Sequence, residues 1–143
     1  MDQKWDLRYL DMSRLVSTWS KDPSTQVGAV IVSKDNKIIS LGYNGLPQKI
    51  PDDLSILHNR AEKYKYIIHA ETNAILTANT SVKDCTLYTY PFLPCTNCAS
   101  MIIQAGIIRV VSLECVDNRW RDKLEDSKNL FKKAKIECIE FST

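Results

Sequence analysis

Two short motifs in this 143-residue chain carry side chains that bind metal ions and move protons. The first is His69-Ala70-Glu71, and the second is Pro94-Cys95-Thr96-Asn97-Cys98. Thiolate and imidazole are ligands that zinc favours, in tetrahedral geometry. Cys95 and Cys98 are three residues apart, so on a helix they share one face and can bind one ion. His69 would be a third protein ligand, which leaves a fourth position for water, as in catalytic rather than structural zinc sites.

The positions of neighbouring residues support this chemistry. Pro94 suits the first turn of a helix, where its missing N–H costs nothing. A helix N-terminus lowers the pKa of a thiol and so favours the thiolate that zinc binds. Glu71 lies two residues from His69 and therefore cannot easily bind the same ion. It is placed instead to act at the open position, as a general base and then as a general acid.

Each motif alone has a simpler interpretation. A Cys-x-x-Cys pair is often a structural zinc knuckle or a redox pair, and His-Ala-Glu alone is almost uninformative. A closed structural zinc site would need a fourth ligand, for which Cys85 or Cys115 is a candidate. The two motifs together match the H-x-E and P-C-x-x-C signature of zinc-dependent nucleobase deaminases, which favours the catalytic interpretation.

The elements that must position these motifs are predicted from hydrophobic periodicity and turn signals. We expect helices at 5–19, 69–78, 95–105 and 122–134, and strands at 27–32, 37–43, 85–90, 108–113 and 136–141. An Asp35-Asn36 turn joins the first two strands as an antiparallel hairpin, and an Asn44-Gly45 turn, where Asn tolerates unusual dihedrals, follows it. Residues 46–66 are polar without a clean period, and we expect a long loop with at most one helical turn.

The predicted element order, αββαβαβαβ, indicates an α/β fold in a single domain spanning residues 1–143. Strands separated by helices run parallel through right-handed crossovers. We therefore expect a three-layer α-β-α arrangement around a mixed five-stranded sheet. Ligands on such sheets bind near the carboxyl ends of strands, where helices begin. Both motifs lie at predicted helix starts.

Composition and charge exclude several classes of protein. Hydrophobic residues make up 44% and charged residues 25%, the average of globular proteins, which argues against a disordered or fibrous chain. A net charge of +2 is too small for a broad nucleic-acid face. No apolar run approaches the roughly 20 residues of a membrane span, and the N-terminus lacks an apolar signal segment. We expect a soluble, cytoplasmic protein whose other cysteines, Cys85, Cys115 and Cys138, are reduced and buried as small hydrophobes.

Several longer segments resemble the deoxycytidylate deaminase family of the cytidine-deaminase superfamily. The resemblance runs from about residue 5 to residue 141, nearly the whole chain. Beyond the zinc motifs it rests on SKDPSTQVGA at 20–29, GYNG at 42–45, the acidic pair Asp52-Asp53, KY at 65–66, HAETNAI at 69–75 and IQAGI at 103–107. These segments are more specific than the zinc signature, which many members of the superfamily share.

The resemblance implies a cytidine-deaminase-like fold and the hydrolytic deamination of dCMP to dUMP and ammonia. It implies Zn²⁺ held by His69, Cys95 and Cys98, with Glu71 as the proton shuttle. Two features depart from the family. Residues 88–94 run one residue longer before Cys95, and the 46–66 loop offers His58 but no cysteine, so a second metal ion is not expected.

The resemblance also implies contacts with nucleotides. Asn44 would hydrogen-bond the sugar, and the turn from Lys21 to Gln26, with Lys21 and Thr25 as candidate contacts, would lie beside the nucleotide. Ala70 would contact the substrate. Many relatives are hexamers that dCTP activates and dTTP inhibits, so we expect a homo-oligomer with an effector site near the GYNG segment. The residues of that segment other than Asn44 are Gly42, Tyr43 and Gly45.

The phosphate of a nucleotide needs cationic or N–H donors. Candidates are Lys21, Lys49, Arg60, Arg119 and Arg121, although most Lys and Arg side chains are simply exposed. The sequence Arg119-Trp120-Arg121 follows a predicted strand on the active edge. Phe92 would either stack on the base or belong to the core.

Other functions stay open at this point. The substrate could be dCTP or a free cytidine or deoxycytidine, because a nucleoside deaminase lacks only the phosphate contacts. Deamination of a base in nucleic acid uses the same zinc motifs, but the near-neutral charge argues against it. A zinc module without enzymatic activity is the remaining alternative.

Overall fold

The structure is a computed structural model that describes residues 3–51 and 54–142. Its strands are β1 Gly28–Val32, β2 Ile38–Tyr43, β3 Thr86–Tyr90, β4 Arg109–Leu113 and β5 Glu137–Phe141. Its helices are α1 Gln3–Ser17, α2 Leu54–His58, α3 Arg60–Tyr66, α4 Ala70–Thr77, α5 Thr96–Gln104 and α6 Asn118–Lys133. The acidic pair Asp52-Asp53 of the family resemblance lies outside the described residues.

The five strands form one mixed sheet in the order β2-β1-β3-β4-β5. The hairpin partners β1 and β2 are antiparallel, and β1 is also antiparallel to β3. The strands β3, β4 and β5 run parallel, each joined to the next through a helix. The β-branched residues of β1 are fully buried, as expected for a strand covered on both faces. The predicted mixed five-stranded sheet is confirmed.

Helices cover both faces of the sheet. On one face, α1 packs Tyr9 and Leu10 against Val30, Tyr88 and Val111. On the other face, α4, α5 and α6 enclose a larger core that includes the buried side chains Ile31, Leu87, Ile102, Val110 and Phe131. The three-layer α-β-α arrangement is therefore confirmed. None of the helices within the described residues is both long and apolar enough to span a membrane.

Two predictions about element boundaries were wrong. Residues 46–66 contain two short helices rather than a loop with at most one turn. The side chain of Asn59 caps the second of them by accepting the backbone N–H of Glu62, a local signal that offset the missing periodicity. The last helix starts at Asn118 rather than at residue 122, because the side chain of Asp117 accepts the N–H of Arg119 as its N-cap.

The prediction of a turn at Asn44-Gly45 was also wrong. The turn at Asn36 has the expected left-handed backbone, with φ of 63°, but Asn44 is not among the described residues with positive φ. Instead, Gly45 forms an isolated antiparallel bridge with Ile68. The Gly45 N–H donates to the Ile68 carbonyl at 3.1 Å, and the Ile68 N–H donates back at 2.8 Å. This bridge fixes the residue immediately before His69.

A buried ion pair joins α1 to the sheet. Arg109 donates from Nη1 and Nη2 to the two carboxylate oxygens of Asp6, at 2.8 and 2.5 Å, and the Tyr88 hydroxyl donates to Asp6 Oδ1 at 2.6 Å. Burial alone would raise the pKa of Asp6. The hydrogen bonds from Arg109 and Tyr88, together with the Arg109 charge, outweigh burial and lower that pKa. The contact is bidentate and charged, which fixes the orientation of α1.

We expect Asp6→Asn to lower the free energy of unfolding by about 3–5 kcal/mol, because it leaves the Arg109 charge buried without its carboxylate. Urea unfolding of the metal-loaded protein at neutral pH measures this loss. Since folding lowers the pKa of Asp6, the ion pair contributes fully above the ordinary aspartate pKa of about 3.9. That contribution is lost as the pH falls through the lower pKa of the folded state.

Asp11→Asn is the matched control, because Asp11 is exposed and pairs with the exposed Arg14 on the same helix. It should change the free energy of unfolding by less than about 1 kcal/mol. Equal losses in the two variants would contradict the stabilising role of the Asp6–Arg109 pair.

Candidate metal and proton-transfer site

The two metal motifs meet because each begins a helix on the same face of the sheet. His69 is the N-cap residue of α4 and Cys95 is the N-cap residue of α5. Neither side chain makes the usual hydrogen bond to its own helix. Cys98 follows in the first turn of α5 and is buried. The side chains at these helix starts are therefore available to a shared ligand.

Three donor atoms converge at this point. His69 Nδ1 lies 3.4 Å from Cys95 Sγ and 3.3 Å from Cys98 Sγ. All three donors lie within 4.8 Å of one another. Tetrahedral zinc with typical Zn–S and Zn–N bond lengths requires N···S separations of about 3.5 Å. The donor set and its spacing therefore fit Zn²⁺.

Within the described residues, no fourth histidine, cysteine or carboxylate joins this group of three. Cys85 is buried and Cys115 and Cys138 are half-buried, and all three pack with the large core as free thiols. The predicted burial holds for Cys85, whereas Cys115 and Cys138 are only partly buried against the core. A closed structural site completed by Cys85 or Cys115 does not form.

The two motif cysteines differ in their proton affinity. The hydrogen bond from Cys98 and the contact with His69 lower the pKa of Cys95 to about 4, although burial opposes them. The pKa of Cys98 is raised by its hydrogen bond to Cys95 and by burial. Contact with the Cys95 sulfur raises the pKa of His69. Binding of a metal ion by both sulfurs would require that each cysteine lose its proton.

Glu71 lies in the first turn of α4, and its side chain is buried beside the metal motif. The residue is 4% exposed. Burial raises the pKa of Glu71, and the charge of His69 and a hydrogen bond from Thr89 oppose that rise. Ala70, which precedes it, is fully buried and starts α4. A carboxyl group shielded from water beside a metal site has the surroundings expected of a group that accepts and returns a proton.

Thr89 is a contact that sequence reasoning missed. Its Oγ1 lies 3.0 Å from Glu71 Oε1 and 3.3 Å from the carbonyl oxygen of Phe92. The residue is fully buried on β3, on the face that carries α4 and α5. The sequence did contain a signal for this contact, which is a threonine within a predicted buried strand. A buried hydroxyl group needs a hydrogen-bond partner, so its presence indicates a polar contact in the fold.

The Asn44 side chain holds the segment between α1 and β1. Its Oδ1 accepts the N–H of Val27 at 2.9 Å, and its Nδ2 donates to the carbonyl of Thr25 at 2.9 Å. The residue is 7% exposed. The amide is therefore engaged with the backbone of the segment that the resemblance places beside the nucleotide. The implied hydrogen bond from Asn44 to a sugar stays a prediction.

A second buried ion pair fixes the same segment to α3. Lys63 Nζ lies 3.2 Å from Asp22 Oδ1, and the two side chains are 5% and 4% exposed. The same carboxylate oxygen accepts the backbone N–H groups of Ser24 at 2.8 Å and Thr25 at 3.3 Å. The sequence did not indicate this pair, because its partners are 41 residues apart.

A cleft of about 240 Å³ opens beside Asn44. Its lining brings together Lys21, Tyr43 and Gly45, which the sequence placed near a nucleotide or an effector. Trp19 and Lys49 also line it, and the Trp19 ring meets the Tyr43 ring edge-on, with 6.2 Å between the ring centroids. The cleft therefore combines aromatic surface with lysine side chains.

Gly42 belongs to the packing of α4 rather than to the cleft lining. A Cβ atom at this position would lie 2.6 Å from both the carbonyl oxygen of Ala70 and the backbone nitrogen of Ala74. Glycine is therefore needed where β2 passes directly under the helix. Arg60, another phosphate candidate, is the exposed first residue of α3.

The first turn of α6 lies against the segment that precedes the second motif. The rings of Phe92 and Trp120 stack with 5.7 Å between their centroids, so Phe92 contacts this helix as well as the core. Arg119 and Arg121 flank Trp120 and are exposed. Arg119 is paired with Asp117 at 2.7 Å.

Comparisons with known proteins agree with this geometry. The sequence model of the family described as "Cytidine and deoxycytidylate deaminase zinc-binding region" matches residues 3–114. An uncharacterized deaminase in the luxG 3' region of Aliivibrio fischeri is 44% identical over 140 residues, which cover 96% of this chain and 93% of the relative. The deoxycytidylate deaminase of Mus musculus is 40% identical over 151 residues, covering 97% of this chain and 80% of the relative.

The fold is shared with a solved enzyme. The crystal structure of the dCMP deaminase of cyanophage S-TIM5, in complex with dCMP and dUMP, has a TM-score of 0.78 and 23% sequence identity, covering 100% of this chain and 99% of that one. Given the match to the family model and the two curated relatives, this chain belongs to the cytidine and deoxycytidylate deaminase family of zinc-binding enzymes.

Proposed function

We propose that this protein catalyses the hydrolytic deamination of dCMP to dUMP and ammonia. The observation that carries the proposal is the convergence of one imidazole and two cysteine sulfurs within 4.8 Å of one another, with the Glu71 carboxyl group buried beside them. A ligand set with three protein donors is typical of catalytic zinc, because it leaves one coordination position open.

In this proposal, His69, Cys95 and Cys98 hold Zn²⁺. Zinc in such a site lowers the pKa of bound water to about 7 and so supplies a nucleophile at neutral pH. Glu71 would take one proton from the attacking water and give it to the ring nitrogen, and would then take the second proton from the newly added hydroxyl group and give it to the departing amino group. Water supplies the new carbonyl oxygen, and the amino group leaves as ammonia. Burial of Glu71 excludes bulk water that would compete for this proton.

The choice of dCMP rests on the relatives. Curated relatives from mouse and human, at 40% and 42% identity, are deoxycytidylate deaminases. The first turn of α6 supports binding of an anionic substrate, because Trp120 stacks on Phe92 just before the second metal motif and is flanked by Arg121 and by Arg119, which pairs with Asp117. We assign the sugar and base side of the pocket to Asn44, Ala70 and Phe92, with the segment from Lys21 through Thr25 beside them.

We further propose that the cleft beside Asn44 binds dCTP and dTTP as effectors. The proximity of Lys21 and Lys49 to the aromatic rings of Trp19 and Tyr43 supports this assignment, since a nucleotide presents both a polyphosphate and a base. Gly45 also lines the cleft, and because it has no side chain it leaves the backbone accessible to a ligand.

The enzyme is a homo-oligomer in this proposal, a hexamer by family resemblance. Leu7 and Leu15 on α1 are 44% and 58% exposed, which supports a contact between copies on this helix. The enzyme acts in pyrimidine deoxynucleotide metabolism in the cytoplasm.

Glu71→Gln should lower kcat by about 10²- to 10⁴-fold while zinc content and melting temperature stay near wild type, because the amide cannot carry the proton. Steady-state kinetics and metal analysis of the same preparation measure both effects. Glu125→Gln, an exposed glutamate on α6, is the matched control and should keep full activity. A folded, zinc-loaded Glu71→Gln enzyme with normal kcat would refute the proton role.

His69→Ala should lose bound zinc and activity together, because two sulfurs alone hold the ion much more weakly than the full ligand set. The natural control is His58→Ala, since His58 is the other histidine of the chain and is exposed at the end of α2. It should keep both zinc and activity. Full zinc content in His69→Ala would mean that the ligand set is misassigned.

A substrate panel tests specificity and regulation together. With dCMP, dCTP, deoxycytidine and a cytosine-containing oligonucleotide at equal concentration, we expect the highest kcat/KM for dCMP. Added dCTP should raise that value and dTTP should lower it. A higher value for deoxycytidine or dCTP would overturn the choice of dCMP as the substrate. Fast turnover of the oligonucleotide alone would mean that the enzyme acts on nucleic acid, and insensitivity of the rate to both dCTP and dTTP would overturn the proposed effector site.

A further inference from the structure

The Thr89 hydroxyl faces two acceptors at the centre of the site. One is Glu71 Oε1 at 3.0 Å, and the other is the Phe92 carbonyl oxygen at 3.3 Å. A threonine hydroxyl has one hydrogen to donate. The carboxylate is the closer partner and the stronger acceptor, because hydrogen bonds to an ionised group are shorter and stronger than those between neutral groups. The hydroxyl therefore donates to Glu71 when that group is ionised.

Glu71 depends on such a donor because of where it lies. Its side chain extends from the first turn of α4 into a space where it is 4% exposed, so water cannot hold the carboxylate in place. The carboxylate group is planar with Cγ and rotates about the Cγ–Cδ bond. A donor fixed on Oε1 restricts that rotation and therefore sets the direction in which Oε2 points.

The rigidity of the donor follows from its position. Thr89 is fully buried in β3, which pairs with strands on both sides. The position of the hydroxyl group is therefore set by the sheet, and the Glu71 carboxyl group on α4 is held against a fixed residue of β3.

We propose that Thr89 is a positioning residue that aims the Glu71 carboxylate at the reacting nucleotide. This inference rests on the proposed role of Glu71 in proton transfer and names the residue on which the geometry of that step depends. Thr89 itself does not exchange a proton with the substrate.

Two substitutions separate the hydroxyl from the shape of the side chain. Thr89→Val replaces the hydroxyl by a methyl group of similar size, and Thr89→Ser keeps the hydroxyl. We expect Thr89→Val to lower kcat by about 10- to 100-fold, the effect of removing a hydrogen bond to a charged group, with KM and zinc content little changed. Thr89→Ser should retain most of the wild-type kcat.

Thr86→Val is the matched control for this substitution. Thr86 is also a buried threonine on β3, but strand alternation places it on the opposite face, toward α1. Its kcat should equal that of the wild type. A purely structural role for Thr89 would lower the melting temperature or zinc content and would not separate kcat from KM.

Two further measurements distinguish failure of this inference from failure of the proposed function. In a Glu71→Gln background, Thr89→Val should cause no additional loss of kcat, because the group it positions has been removed. In a crystal structure of Thr89→Val, the Glu71 carboxylate should leave its wild-type orientation, which needs no assay.

The Thr89 inference is overturned if that carboxylate stays in place, if Thr89→Val keeps its kcat, or if Thr89→Ser loses as much activity as Thr89→Val. Normal activity of Glu71→Gln would instead overturn the proton role itself.

Discussion

The site depends on one geometric constraint, which is that the residues beginning α4 and α5 must meet above the same face of the sheet. His69 and Cys95 are N-cap residues whose side chains do not cap their own helices. The bridge between Gly45 and Ile68 fixes the start of α4, and the missing side chain of Gly42 lets that helix lie directly on β2. Two helix N-termini then face one point, where their dipoles favour thiolates.

Electrostatics favours a cation at this point. Cys95 already has a lowered pKa, and its sulfur, together with burial, raises the pKa of Cys98. The negative charge of Glu71 lies close enough to add to that rise. Two thiolates and a carboxylate in a buried space would repel one another without a compensating charge. A divalent ion would compensate the charge of both sulfurs, and in the proposed function the Glu71 carboxylate is then the remaining base, which links metal binding to the ionisation state of the site.

Local patterns in the sequence were sufficient to predict the sheet, its hairpin and the grouping of His69, Cys95 and Cys98. Consecutive β-branched residues marked β1, and the spacing of the two motifs marked helix starts. Contacts between distant segments were not visible in such patterns. The Lys63–Asp22 pair and the Thr89–Glu71 contact join residues 41 and 18 positions apart, and each becomes adjacent only after the sheet has formed. The prediction of a turn at Asn44-Gly45 was wrong for the same reason. Gly45 pairs with Ile68, a residue distant in sequence, and this pairing outweighs the local preference of the dipeptide for a turn.

Zinc K-edge X-ray absorption on the fully active enzyme tests the central claim most directly. The account predicts one zinc per chain, with two sulfur neighbours at about 2.3 Å and two nitrogen or oxygen neighbours at about 2.0–2.1 Å, one of them an exchangeable water. A shell with three or more sulfurs would show that another cysteine closes the site. Full activity without zinc would contradict the account entirely.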